Sequence, residues 1–501
     1  MFAKKEFVHI NTETTMNNRR NFIKQSGLGL AGLGLASCST PEVTNEIKKS
    51  EESQSKNGIV KAQRKLEVVE LQVKGPLLAP YMSQYTPEQK GSGDSYIRKE
   101  AFAHNPFTIN CGGISGSPVI LDADGKFVGF MTTYGLENSV FNYDGKEKLS
   151  VQVPEGQELF IDESSKGNDG WKAYNAAMFK RLKFEPYNEV PEFWKDVEYC
   201  SWVEQKKISK VSKGHFKLLS HDFVMKYMDK VIELGYPKGK MTLDHGWGQF
   251  PDGTIESGFG SWEPDTDTFP DFEKTMGMIQ EKGFTPGLWI AFPKIHHNST
   301  YAKKYPDMLG DWRSTQDSKP DAERWLNPRA DIYDYASEVV NRYFKMGVKK
   351  FKIDMSYNTK SDMIFIHKEL YRAAKDIDQT IEMEFHVPDI FFAKYADVIR
   401  TNDIWINDRY DWPSRVKMHY EVVLKSCPGR GINLDHIGGN DTAGITEETW
   451  LQHLDMYKDK IGYPLVSLLP HHVSEKCVDE TGKYLWDYQR NGRKILSDFY
   501  V

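Results

Sequence analysis

The apolar residues of this chain change their spacing twice. Residues 41–63 carry Glu, Lys, Ser, Asn and Gln with little apolar content. Between 64 and 165 the apolar residues come in short runs (66–73, 118–121, 127–133 and 149–153). Turn signals such as Asp122-Ala123-Asp124-Gly125 and Tyr143-Asp144-Gly145 break them up. That punctuation predicts antiparallel strands, so 64–165 is expected to be a small β-domain, a sandwich, with 166–195 as a connector. From Asp196 onward, strand-like runs alternate with amphipathic stretches of helical period. Strands are expected over 198–202, 240–243, 285–292, 349–354, 380–385, 397–401, 431–434 and 465–469. Helices are expected over 222–234, 271–282, 332–346, 361–376 and 446–458. Eight strands with a helix in most gaps predict an α/β fold, a (β/α)8 TIM barrel over 196–501 preceded by a small antiparallel β-domain. No stretch repeats at a fixed period, which excludes a solenoid or a propeller.

The leader has its own pattern. Asn18-Arg19-Arg20-Asn21-Phe22-Ile23-Lys24 precedes a short apolar stretch, 27–36, and then Cys38. Basic residues ahead of roughly 7–15 apolar ones read as an export signal, too short to span a bilayer. The Arg-Arg-x-Phe-Ile-Lys run resembles a twin-arginine signal, and Leu35-Ala36-Ser37-Cys38 resembles a bacterial lipobox. The expectation is a signal over 1–37, acylation of Cys38 and a flexible tether over 38–63. The protein would then be a cell-envelope lipoprotein, exported by the twin-arginine route and held to a membrane by its lipid anchor.

Charge and cysteine usage narrow the partners. A net charge of −6 argues against a general nucleic-acid binder, which needs a basic face. No run of about 18 apolar residues occurs, which excludes a spanning helix. Cys111, Cys200, Cys427 and Cys477 lack the CxxC or CxxH spacing of a zinc site and are too few for a disulfide scaffold. They read as structural thiols.

Barrel chemistry collects at the C-terminal ends of the strands. Those ends carry Trp202, Asp244-His245-Gly246-Trp247, Trp289, Lys352 and Asp354, then Glu384-Phe385-His386 and Arg400-Thr401-Asn402-Asp403, then Asp435-His436 and His471-His472. Carboxylates beside flat aromatic faces suit a sugar: the acids act at the glycosidic oxygen and the rings pack on C–H faces.

Here the residues resemble a known family. Lys352-Ile353-Asp354 is similar to the Lys-x-Asp that ends the fourth barrel strand of α-galactosidases in glycoside hydrolase families 27 and 36. Arg400-Thr401-Asn402-Asp403 resembles their acid/base segment after the sixth strand. Asp244-His245-Gly246-Trp247 resembles the Asp-Asp-Gly-Trp of family 36. Gly260-Ser261-Trp262, Phe269-Pro270 and Gly287-Leu288-Trp289 follow in the family's order, and Pro306-Asp307 matches more loosely. The resemblance implies a retaining exo-α-glycosidase with Asp354 as nucleophile and Asp403 as acid/base. Asp244, His245, Trp247, Trp289, Lys352, Glu384 and Arg400 would bind an oligosaccharide or polysaccharide substrate. It implies no cofactor and no catalytic metal.

Departures from the pattern bear on specificity. His245 replaces the second acid of Asp-Asp-Gly-Trp, Ile290-Ala291-Phe292 lacks the acid that usually follows Gly-Leu-Trp, and Asn402 stands for a usual Ser. An imidazole in place of a carboxylate would tolerate an anionic substituent on the sugar. Two further readings share these residues: transglycosylation by the same carboxylate pair, and a lipid-anchored glycan-binding protein that has lost catalysis. Gly112-Gly113-Ile114-Ser115-Gly116 superficially resembles a serine-protease nucleophile segment, but Ile114 stands where the Asp belongs and only His104 lies nearby upstream. The pairs His296-His297 and His471-His472 are expected to diverge, because neighbours on a strand face opposite ways.

Overall fold

The computed structural model describes residues 57–62, 66–80, 102–103, 105–112, 116–187, 189–209, 214–254, 257–312, 323–356, 359–401, 406, 412–440 and 444–491. Its centre is a closed barrel of eight parallel strands in chain order: Glu198–Cys200, Lys240–Leu243, Thr285–Ile290, Lys350–Ile353, Glu382–Phe385, Val398–Arg400, Gly431–His436 and Tyr463–Val466. The last strand closes on the first through the register pairs Glu198↔Leu465 and Tyr199↔Val466.

Helices form where sequence supplies both an apolar stripe and a cap. His221–Glu233 buries Val224, Met228 and Val231 at helical spacing, and Ser220 accepts the Phe223 N–H at its start. Thr446 and Thr449 make a reciprocal capping box at the head of Glu447–Tyr457. Strand ends differ from expectation by up to three residues, and two of the shifts have a visible local cause. The fifth strand starts at Glu382 because Asp378 accepts the Thr380 N–H and hydroxyl, folding 378–380 into a local turn. The eighth ends at Val466, and Pro470–His472 is a 3₁₀ turn. Leu468 and Leu469 are buried loop residues whose apolar run mimics a strand. After strand three, a small antiparallel sheet of Lys294–His296, Glu323–Leu326 and Leu309–Trp312 is inserted.

The β-domain is two antiparallel sheets. One runs in the order Asn57–Lys61, Glu158–Asp162, Phe127–Phe130, Val119–Leu121, Leu77–Leu78 and Phe102–Ala103, the other Leu66–Gln72, Lys148–Pro154, Val140–Tyr143 and Phe107–Asn110. Leu71, Phe130, Phe141, Val151 and Leu159 meet in its core. Asn57–Lys61 lies inside the expected tether: its side chains are mostly exposed, so only its main-chain pairing marks it as a strand. The expected connector contains the helix Asp169–Leu182. This helix buries Trp171, Tyr174 and Met178 between Val119 and Phe127 of the β-domain and Ile390, Phe391, Met418 and Val422 of the barrel. It joins the two units as packing, not as a hinge.

Candidate active site

Alternate residues of a barrel strand point inward, so each strand places its inward residues at successive depths. The fourth carries Lys350, Lys352 and Asp354, the fifth Glu382, Glu384 and His386, the second Lys240, Thr242 and Asp244. Contacts follow this layering. Deepest, Lys350 is ringed by Glu198, Glu384 at 2.6 Å, Glu382 at 3.4 Å and the Tyr463 hydroxyl at 2.9 Å, while Lys240 pairs with Glu382 at 2.8 Å. Asn433 donates to both Glu198 and Glu384.

Towards the C-terminal mouth, Lys352 Nζ meets Asp244 Oδ2 at 2.7 Å, and the Cys200 thiol donates to the same oxygen at 3.1 Å. Burial would lower the Lys352 ammonium, but Asp244 and Cys200 outweigh it and hold it above the usual lysine range. At the last position, Asp354 accepts Trp289 Nε1–H on Oδ2 at 3.0 Å and the Met355 N–H on Oδ1 at 2.7 Å. His386 Nε2 stands 3.5 Å from Oδ1 and 3.3 Å from the Ser356 N–H. It can accept from the second or donate to the first, according to tautomer. Burial alone would raise the Asp354 carboxyl. His386, Arg400 and Lys352, with the Trp289 hydrogen bond, outweigh that and hold it well below the usual carboxylate range. Its side chain keeps 20% exposure, whereas Lys352 has 3%.

Two rim residues sit in the left-handed region, Met355 at φ 59° and Asp435 at φ 64°. For residues with a β-carbon this costs roughly 1–2 kcal/mol each. Such strain gathers where a side chain must be aimed: Met355 follows Asp354, and Asp435 Oδ1 takes Arg400 Nη1 at 3.1 Å.

His245 is a plate in an aromatic stack. It lies on Trp289 at 4.2 Å between centroids and 10° between planes, with Phe216 edge-on at 4.6 Å. Trp289 thus links His245 to Asp354.

Asp244, His245, Trp289, Lys352, Asp354 and Arg400 are therefore gathered at one end of the barrel. Two residues expected to touch substrate have their side chains engaged within the protein. Glu384 is 1% exposed and one layer below His386, bound to Lys350, Asn433 and Tyr463 and lying 3.7 Å from Arg400 Nε. Strand alternation makes it a support for Arg400. Trp247 is equally buried: its Nε1–H donates to the Trp289 carbonyl at 2.9 Å, and its ring packs on Phe272 and Tyr343. Trp247 backs Trp289 from behind. Asp403, Asn402, Ser115 and Cys38 lie outside the described residues.

Sequence reasoning gave Cys200, His386 and Asp435 no part in substrate binding or catalysis. The signal that finds all three is strand parity, two residues on from an inward neighbour. Among the described residues, one cluster of His and acid groups could hold a metal: Glu204, His471 and His472.

No family model matches the chain. Among solved structures it is similar to a family 36 α-galactosidase of Geobacillus stearothermophilus, at 15% identity and TM-score 0.54, over 78% of this chain and 59% of that one. It is also similar to the α-galactosidase of Thermus thermophilus in complex with p-nitrophenyl α-D-galactopyranoside. There the identity is 16% and the TM-score 0.56, over 83% of this chain and 85% of that one. A third, the galactosidase domain of an α-galactosidase-sucrose kinase, matches at 12% identity and TM-score 0.54, over 85% of this chain and 60% of that one. This chain thus spans about three fifths of the Geobacillus enzyme's length. The fold is that of the family 36 α-galactosidases.

Proposed function

We propose that the protein is a retaining exo-α-glycosidase of the α-galactosidase kind. The observation that carries this is Asp354: a carboxylate at the end of the fourth strand, partly open to the mouth, held ionised by cations and by a tryptophan donor. In this reading Asp354 attacks the anomeric carbon while Asp403 gives its proton to the departing glycosidic oxygen, so one C–O bond forms as another breaks. Water then enters, Asp403 takes its proton, and the ester to Asp354 breaks. The Asp244–Lys352 pair offers an acceptor and a donor side by side for adjacent sugar hydroxyls, and Arg400 offers donors from the sixth strand. The fold likeness to enzymes crystallised with stachyose and raffinose supports α-galactosyl oligosaccharides as the first substrates to test.

A mechanism-based fluoro-glycoside should label Asp354, as mapped by mass spectrometry of the digested protein. Turnover of aryl α-galactosides should be lost in Asp354→Ala. Absence of both labelling and turnover across α-galactosides, α-N-acetylgalactosaminides, β-L-arabinopyranosides and sulfated analogues would leave a glycan-binding protein. An excess of acceptor sugar that diverts product from hydrolysis would mark a transglycosylase.

The same proposal takes in location. Cys38 would be acylated and would hold the domains off a cell-envelope membrane. Changing Cys38→Ala should move the protein from the membrane to the soluble fraction; an unchanged protein already found soluble would end that reading.

A further inference from the structure

The seam of the barrel carries a side-chain cluster that the glycosidase reading does not use. Glu204, on the helix Trp202–Ile208 after the first strand, is buried. Its Oε2 accepts the Leu469 N–H at 2.9 Å, and its Oε1 meets His472 Nε2 at 2.6 Å. His471 and His472 do not diverge as strand neighbours would, because they sit on the 3₁₀ turn Pro470–His472. The two rings lie obliquely together, 4.0 Å between centroids and 36° between planes. One donor atom from each of Glu204, His471 and His472 lies within 4.8 Å of the other two. His471 Nδ1 is buried with no hydrogen-bond partner.

A plain Glu–His pair accounts for Glu204 and His472 only. It leaves the buried Nδ1 of His471 unserved, which is costly for a polar atom out of water. It also leaves the second imidazole beside the first, 36° between planes, without a role. A cation would replace the 2.6 Å Glu204–His472 hydrogen bond, the two atoms parting to about 3.4 Å to give it a lone pair each, with His471 supplying a third. Two imidazoles and one carboxylate form a donor set of the zinc class, with ligand bonds of about 2.0–2.2 Å and water able to complete a tetrahedron. The Leu469 N–H orients the carboxylate from behind, the usual support for a metal ligand.

We propose that Glu204, His471 and His472 bind a zinc-class divalent cation that clips the first strand of the barrel to the last. The place suits a clip, since those two strands share only two register pairs. Ser467 adds a short bridge there, accepting the Val203 N–H on Oγ and the Glu204 N–H on its carbonyl.

The test titrates metal-stripped full-length protein with zinc ion against a chromophoric chelator. The expected result is one tight zinc per chain, and a thermal midpoint that rises with added zinc. His471→Ala is the main variant, because its Nδ1 holds nothing else in place. It should weaken zinc by more than about 100-fold, beyond the 10–100-fold lost with a group that merely supports a ligand. It should also abolish the zinc-dependent rise in midpoint. Cobalt(II) should give the intense visible bands of a four-coordinate site in the parent and not in the variant. Failure of the unchanged protein to take up stoichiometric zinc would overturn the proposal. So would a His471→Ala variant that binds zinc as tightly as the parent.

Discussion

Asp354 owes its charge state to neighbours at several distances. Trp289 is the neutral side chain that donates to it, and it can be changed without touching the cations. In Trp289→Phe the ring still covers His245, but the Nε1–H on Asp354 Oδ2 is gone. A hydrogen bond to a charged group is worth about 1.5–3 kcal/mol, so kcat should fall roughly 10–100-fold. Removing a donor that favours the carboxylate raises its pKa, so the acid limb of the pH–rate profile should move to higher pH. An unmoved limb with reduced kcat would assign Trp289 to sugar stacking alone. Legibility at this scale followed a simple rule. That Asp354, Lys352 and Asp244 gather at one end of the barrel could be read from the sequence because they share parity at strand ends. For Trp247 and Glu384 the residue type was legible but not the internal partners, because type says nothing about what a side chain meets. Trp247 donates to the Trp289 carbonyl, and Glu384 accepts from Lys350.

The barrel strands were legible because most are apolar on their outer face, where Met241, Leu243, Leu288, Phe351, Met383 and Ile399 lie under the helices. The inner face breaks the rule of a packed aliphatic core. Glu198, Lys240, Lys350, Glu382 and Glu384 replace it with a buried ionic layer, which sequence could only register as charges in odd places. Removing one partner of such a layer leaves uncompensated charge, at about 3–5 kcal/mol. Lys350→Met should therefore lower the thermal midpoint sharply, since Glu198 and Glu384 both lose their cation. Replacing Lys350, Glu198 and Glu384 together with apolar residues should recover much of the loss, as buried ion pairs often exchange for hydrophobic packing at little net cost. A single variant as stable as the parent would mean that water reaches this layer.

At the scale of the whole molecule, the β-domain and barrel are held by the helix Asp169–Leu182, which sequence reading treated as a connector. Its apolar residues serve two partners at once, so no single amphipathic stripe announced it. Trp171 is 1% exposed and packs in the cluster that also contains barrel residues Ile390 and Met418. Trp171→Ala should cost about 3–5 kcal/mol. Because that loss falls on the junction, calorimetry should show one melting transition dividing into two, with the β-domain melting first. A single transition displaced as a whole would mean that other contacts couple the units.

The edge strand Asn57–Lys61 bears on where the chain can be cut. It covers the outer hydrogen-bonding edge of Glu158–Asp162 along five register pairs, from Asn57↔Asp162 to Lys61↔Glu158. Judged by composition, residue 64 is the natural place to begin a shortened protein. A chain begun there would uncover that edge, leaving a row of main-chain donors and acceptors open to strands from other molecules. The shortened protein could keep its barrel intact and still precipitate, and the fault would be misread as misfolding of the catalytic unit. A start at or before residue 56 keeps Glu158–Asp162 paired on both sides, with the mostly exposed side chains of Asn57–Lys61 at the edge.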